Sequence, residues 1–311
     1  GSEMCIRDRY KEADFWMLRQ AELDFLRSLD QAWSKLAVTQ RRKSVIQDRL
    51  AVLKKENGMI EKLIGAGEVE FSSRQVASQR MNDAIREFQN VTEAELEQQM
   101  ELVKLMGMHP SSAPRLRFLT GQGFSLPAAV AAPSPAALME SPKVKAQMAT
   151  YATTETLLKT EIRRQYPELE LGPSFTRDDE EKEVGGEIGF NIPLWNRNRK
   201  AIAEARGVRN TARLETVQLW KTELFNARQL EATQQMVIRH CRTELQRMES
   251  FSSSVQTMEK LHGIGEASLL ELAENRHQLY ESRLAFLDSL DKLLGIQAQL
   301  RYITHANLQS K

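Results

Sequence analysis

The feature that most constrains this chain is a ten-residue segment that occurs twice. Met59-Ile60-Glu61-Lys62-Leu63-Ile64-Gly65-Ala66-Gly67-Glu68 matches Thr257-Met258-Glu259-Lys260-Leu261-His262-Gly263-Ile264-Gly265-Glu266, with Glu259 standing 198 positions after Glu61. Each copy lies between a long stretch of helical pattern and a second stretch of similar kind. Glycines spaced by one residue can supply the positive-φ backbone that ends a helix and reverses the chain. Each copy is therefore expected to be the tip of a long antiparallel helical hairpin, and the chain to be built from two related repeats.

The flanking sequence supports long helices. From Tyr10 to about Leu105 there is no proline, and glycine occurs only at 58, 65 and 67. Apolar or small residues recur every seven positions at Leu18, Phe25, Ala32, Thr39, Ile46, Leu53 and Ile60, with a second stripe of Leu29, Leu36 and Leu50 broken by Lys43. A seven-residue period marks helices packed along a seam. In the second repeat, helix is expected from about Arg199 to about Leu261, roughly 90 Å at about 1.5 Å per residue. A final helix from about Ser268 to His305 carries the column Leu272, Leu279, Phe286, Leu293 and Leu300. The expected organisation is a prefix over 1–9 foreign to the natural protein, a first-repeat helical hairpin over 10–109 with its tip near 65–70, and a Pro/Ala-rich linker over 110–141. A helix over 142–165 follows, with Ser141 as N-cap and Pro142 in the first turn. The second-repeat helical hairpin occupies 196–306, its tip near 263–268.

Between the helices, residues 166–195 change period. Leu169, Leu171 and Phe175 alternate with Glu168, Glu170, Gly172, Ser174 and Thr176; after the charged turn Arg177 to Glu183, Val184, Ile188, Phe190, Ile192 and Leu194 alternate with Gly185, Glu187, Gly189 and Asn191. Period two on both sides of a turn predicts a β-hairpin. Strands of about ten residues with one apolar face suit a soluble sheet or a lipid-facing barrel strand with a wet interior.

Composition narrows the function classes. Lys and Arg number 43 against 42 Asp and Glu, a net charge of +1, whereas a nucleic-acid groove needs a basic excess. No run of 18 apolar residues exists, and the most apolar stretch, Leu126 to Leu138, is interrupted by Pro127, Pro133 and Pro135. That excludes a transmembrane helix but not a barrel, whose strands leave no hydropathy peak. Cys5 and Cys241 make neither a disulfide framework nor a zinc site. Residues 1–9 hold no apolar core of a secretory signal. No Ser/His/Asp set, P-loop or paired acid/base arrangement is present, so no catalysis, metal or cofactor is inferred.

The order of helix, β-hairpin, long helix, glycine turn and helix resembles the TolC-like outer membrane efflux protein family. The residues that carry the resemblance are Tyr166-Pro167-Glu168-Leu169-Glu170-Leu171-Gly172-Pro173 at the first strand, Ile192-Pro193-Leu194-Trp195-Asn196-Arg197-Asn198-Arg199 after the second, Ala203-Glu204-Ala205, and the Leu-x-Gly-x-Gly-Glu tips. Together they look most like the cation-efflux Czc/Cus-type branch. The resemblance implies a mainly α fold with a β-hairpin. Long antiparallel helical hairpins form an α-barrel, and strands contribute to a trimeric outer-membrane β-barrel. It implies a homotrimeric, passive export conduit across the periplasm and outer membrane of a Gram-negative bacterium, with metal cations as the branch's cargo. The partners it implies are a periplasmic adaptor, an inner-membrane transporter and outer-membrane lipid. The repeat offset sets a first strand pair before residue 1, so the sequence reads as N-terminally truncated.

Site expectations follow from the same resemblance. Gly65, Gly67, Glu68, Gly263, Gly265 and Glu266 are the adaptor-docking tips; read from the residues alone, the glycines are helix reversals and the glutamates solvated. Leu169, Leu171, Phe175, Ile188, Phe190, Ile192 and Leu194 are the lipid-facing strand positions. Trp195, Asn196, Arg197, Asn198 and Arg199 form the barrel–helix junction. His240, Cys241, His262, His277 and His305 lack metal-ligand spacing, and the histidines read as surface residues. The acidic cluster Asp178 to Glu181 reads as a solvated turn. Two other functions compete: a periplasmic adaptor, which should carry a β-rich lipoyl-like domain split around its hairpin, and a structural coiled-coil protein, which should lack the period-two segment and the repeat.

Overall fold

The structure, a computed structural model, describes residues 2–68, 70–109, 111, 124–166, 168–177, 182–191 and 198–304. Its elements are α1 (Ser2–Gly65), α2 (Ser72–Leu105), α3 (Pro135–Met139), α4 (Pro142–Arg163), β1 (Glu168–Arg177), β2 (Lys182–Asn191), α5 (Arg199–Gly263) and α6 (Leu269–Arg301). At 64 and 65 residues, α1 and α5 are each about 96 Å long. The chain divides into two compact units, the first mostly Gly1–Leu23 and Pro133–Asn226, the second mostly Asp24–Ala132 and Ala227–Ile303.

In the first unit, α4 begins where the sequence offers a cap. The Ser141 hydroxyl accepts the Val144 amide at 3.4 Å with Pro142 in the first turn, satisfying a donor the helix start leaves open. The stretch expected to be an irregular linker contains α3, capped in the same way by Ser134. Helix α4 lies antiparallel to α5, with rungs at Lys143–Glu223 (2.6 Å), Gln147–Glu215 (3.4 Å) and Glu155–Arg209 (3.0 Å). Tyr151 donates to Glu155 at 2.5 Å. That bond, and then the one from Arg209, holds the Glu155 carboxyl below its ordinary range. Strands β1 and β2 pair antiparallel from Glu168 opposite Asn191 to Arg177 opposite Lys182. The register sets Leu169 opposite Phe190, Leu171 opposite Ile188 and Phe175 opposite Val184, so apolar positions face apolar positions across the ladder. The described sheet consists of this one pair.

The second unit is a four-helix core. Val38, Val45 and Ile46 of α1, Val91 of α2, Val237, Ile238, Cys241 and Met248 of α5, and Tyr280, Leu284, Phe286, Leu287 and Leu293 of α6 form one cluster. The heptad column of α1 is buried at Ala32, Thr39, Ile46, Leu53 and Ile60, but Leu18 and Phe25 are 60% and 47% exposed. On α6, Leu272, Phe286, Leu293 and Leu300 are buried and Leu279 is half-buried. Lys43, which breaks the second stripe, pairs with Glu95 at 2.7 Å and lies 5.6 Å from the Phe88 ring centre, so the interruption is a partnered cation and not a defect of the seam.

Two features of this unit were not visible in the periodicity. First, the connector over 124–132 is bonded to buried glutamines. Gln234, 2% exposed, accepts from the Val130 amide at 2.9 Å and donates to the Val130 carbonyl at 2.7 Å. Gln297, fully buried, donates to the Ala128 carbonyl at 2.9 Å. Second, the repeated glycines do unequal work. Gly65 and Gly263 are the last residues of their helices. Only Gly67 and Gly265 take positive φ, +76° and +80°. The Gly67 amide donates to Ile64 (3.0 Å) and the Glu68 amide to Leu63 (2.9 Å); Gly265 donates to His262 (3.1 Å) and Glu266 to Leu261 (2.9 Å). Both copies thus end in the same left-handed cap, in which the last carbonyls of the helix are closed by backbone amides.

Two outcomes are expected. Gly67→Ala or Gly265→Ala should each cost about 1–2 kcal/mol through left-handed strain. Gly65→Ala and Gly263→Ala, where an added Cβ meets nothing within 4 Å, should be neutral or stabilise by up to about 1 kcal/mol. Guanidinium unfolding midpoints of the four variants check the contrast. Gln234→Leu should cost about 2–3 kcal/mol, because two backbone groups of Val130 lose their partner. It should also speed proteolysis within 124–132, which a timed digest reads.

Candidate docking tip and strand–helix junction

The two glycine tips, far apart in sequence, are brought together within the second unit. Ile60, Leu63 and Ile64 of α1, Ala77 of α2 and Leu269 of α6 form one small apolar cluster. Beside it lies a groove of about 530 Å³ bordered by Leu63, Glu68 and Glu70 from the first tip and by His262, Gly265 and Leu270 from the second. Gly65, Gly67, Glu68, Gly263, Gly265 and Glu266 are all exposed, with Ile264 69% and Phe71 67% exposed beside them. An end that presents apolar side chains and acids to solvent is a surface able to accept a partner.

The entry to the second helix differs between tips. Ser268 and Glu271 form a reciprocal capping box at the start of α6. The backbone amide and then the hydroxyl of Ser268 hold the Glu271 carboxyl below its ordinary range. Helix α2 has Phe71 at the equivalent place, without a side-chain cap. His262 lies 3.0 Å from the Ala267 carbonyl through Nδ1; since a carbonyl only accepts, that nitrogen carries the proton. The repeated glutamates Glu61 and Glu259 each hold an arginine of the returning helix: Arg74 bonds Glu61 through Nε at 2.7 Å and through a second, shorter contact, and Arg276 bonds Glu259 at 2.8 Å. The repeat marked these acids, but the matching arginines stand at different distances along the chain and only the folded hairpin identifies them.

At the other candidate site, Asn198 sits just before α5 with φ +50°. Its amide donates to the Glu161 backbone carbonyl at 3.0 Å and to the Glu161 carboxylate at 2.6 Å, so the end of α4 and the start of α5 are tied across the hairpin. Arg199 is exposed at the first turn of α5. Ile192, Leu194, Trp195, Asn196 and Arg197 lie outside the described residues, as do Asp178 to Glu181 and His305. The strand positions Leu169, Leu171, Phe175, Ile188 and Phe190 are described through their backbone pairing alone.

A polar cluster that the sequence did not single out lies between α1, α2 and α6. Arg49 stacks 3.8 Å from the Tyr280 ring centre, approaches Glu87 (3.7 Å) and Glu281 (3.6 Å), and lies 3.2 Å from His277 Nδ1. Tyr280 donates to Glu87 at 2.6 Å. Burial first and that bond second push the Tyr280 hydroxyl well above the ordinary phenol range. Burial, then Arg49, pushes His277 below the usual imidazole value. Cys241 is fully buried, and burial raises its thiol. Among the described residues, no group of three or more His, Cys, Asp or Glu is placed to hold a metal ion. Among them also, no helix is long and apolar enough to cross a membrane.

No protein-family model and no curated protein sequence matches this chain. Solved structures do. A membrane protein of Pseudomonas aeruginosa aligns at 17% identity with a TM-score of 0.79, covering 98% of this chain and 72% of its own. The outer membrane protein VceC of Vibrio cholerae aligns at 14% identity and TM-score 0.81, covering 96% of this chain and 74% of its own. The CmeC outer membrane channel of Campylobacter jejuni aligns at 12% identity and TM-score 0.76, covering 97% of this chain and 66% of its own. Identities this low carry the fold and not the activity: the chain has the fold of these membrane proteins over nearly all of its length.

Proposed function

We propose that this chain is a subunit of an outer-membrane export channel of the TolC-like family, working as a passive conduit in a tripartite efflux system of a Gram-negative bacterium. The observation that carries the reading is the fold match to the outer membrane protein VceC and the outer membrane channel CmeC over 96–97% of the chain, joined to a tip end where two copies of one glycine motif meet. In this reading three copies assemble. The β1–β2 pair enters a shared barrel, since only a closed sheet satisfies its backbone groups in lipid. Leu169, Leu171, Phe175, Ile188, Phe190, Ile192 and Leu194 then face lipid. Residues 195–199 form the junction between barrel and helices, where the Asn198–Glu161 tie supports a fixed turn. The exposed tips receive a periplasmic adaptor, behind which stands an inner-membrane transporter. The chain carries no chemistry of its own. The Ile192-to-Arg199 motif supports the cation-efflux branch with metal cations as cargo.

The complete gene product, expressed in a Gram-negative host, is expected in the outer-membrane fraction as a detergent-resistant trimer whose gel migration changes on heating. A soluble monomer would overturn the reading. In a host lacking its own cation-efflux channel, the same product should restore growth on toxic metal salts. Ile264→Asp at the exposed tip should abolish that rescue while leaving the outer-membrane level unchanged.

A further inference from the structure

A small cleft between α1, α2 and α6 has a wall that no part of the channel reading uses. It measures about 170 Å³, below the ~300 Å³ at which drug-sized pockets begin. Two helix faces make it. Val45, Arg49, Leu53 and Glu56 recur at helical spacing along α1, and Ala273, Arg276, Tyr280 and Arg283 do so along α6, while Arg80 closes the side from α2. The wall therefore combines apolar surface with four guanidinium groups.

Three of those guanidinium groups are matched by acids. Arg49 has Glu87 and Glu281, Arg80 has Glu274 at 2.5 Å, and Arg276 has the buried Glu56 at 2.9 Å together with Glu259. Arg283 is different. Among the described residues it has no ion pair, and its Nε is buried with no hydrogen-bond acceptor. The acid that acts on it through space, Asp48, is exposed at the cleft and forms no ion pair with it. Burial pushes the Arg283 guanidinium below its ordinary range, and Arg41 adds to the effect. A buried donor on a cation is costly when unmet, and an arginine fork meets a carboxylate in two parallel bonds.

We infer that this cleft is a binding site for a small organic carboxylate, whose anionic head pairs with Arg283 and whose apolar body packs against Val52, Leu53 and Leu279. The apolar wall selects a carboxylate with a hydrocarbon body over a fully hydrated inorganic anion. The volume limits that body to about one ring or a short chain. The inference is independent of the channel reading, since it uses only the second unit of a single chain.

The test uses benzoate as the probe and benzamide as its neutral isostere, at constant ionic strength, with binding read by saturation-transfer NMR and calorimetry. Saturable benzoate binding is expected, with benzamide about tenfold or more weaker. Arg283→Gln should lower benzoate affinity to the benzamide level. Arg283→Lys, which keeps the charge, should retain part of the preference, and Asp48→Asn should not weaken it. Equal binding of the two probes by the unmodified chain, or no binding of either, overturns the assignment without recourse to any variant. Undiminished benzoate binding by Arg283→Gln overturns it equally.

Discussion

Burial along the seam between the long helices is the interaction on which the rest of the second unit depends. A helix of 64 residues draws little net stability from its own hydrogen bonds, and its persistence rests on packing an apolar face. Leu36 and Ile46 of α1, Leu102 of α2, and Phe286, Leu287, Leu293 and Leu300 of α6 are among the largest fully buried side chains. Each contributes about 1.5–3 kcal/mol by leaving water. The seam is uneven along its length. It is continuous through Ala32 to Ile60 on α1, yet Leu18 and Phe25 of the same column stand in solvent. A heptad column specifies a surface that is able to pack; whether a partner meets it depends on where the other helices lie.

The polar groups at the seam follow from that burial. Closing helices side by side removes water from backbone and side-chain groups that must then find other partners. Gln234 and Gln297 meet the carbonyl and amide groups of a connector, 124–132, that is neither helix nor strand. Lys43, Arg49 and Arg276 stand within the helical seam yet have acids from a second helix. Arg283 is the exception: this half-buried arginine has no ion pair among the described residues and a buried Nε without a partner, the kind of local inconsistency that marks a ligand site.

The tips show how a short motif can be read correctly in outline and misassigned in detail. The repeated Gly-x-Gly predicted a helix end, and both copies do end a helix in the same left-handed cap. The sequence alone did not separate the two glycines. Only the second of each pair occupies the position where a side chain would collide with its own backbone, while the first completes the helix. The repeated glutamate two positions before the leucine was legible as part of the motif, but its role as a clasp on the returning helix was not. Its partners, Arg74 and Arg276, fall at unequal spacing, and no periodicity connects them.

Local physics in the sequence by itself determined the element types and their order. Long unpunctuated heptads made helices, strict alternation made one hairpin, and Gly-x-Gly made the two reversals. Serine before proline placed the start of α4, because each of these depends on residues within a few positions of one another. The tertiary structure alone decided that the two tips share one apolar cluster and groove, that Asn198 ties to Glu161, and that Gln234 holds Val130. It alone also decided that one arginine among four in a cleft has no ion pair among the described residues. Those facts join residues tens to hundreds of positions apart, and their energy comes from desolvation at surfaces that exist only once the helices have packed.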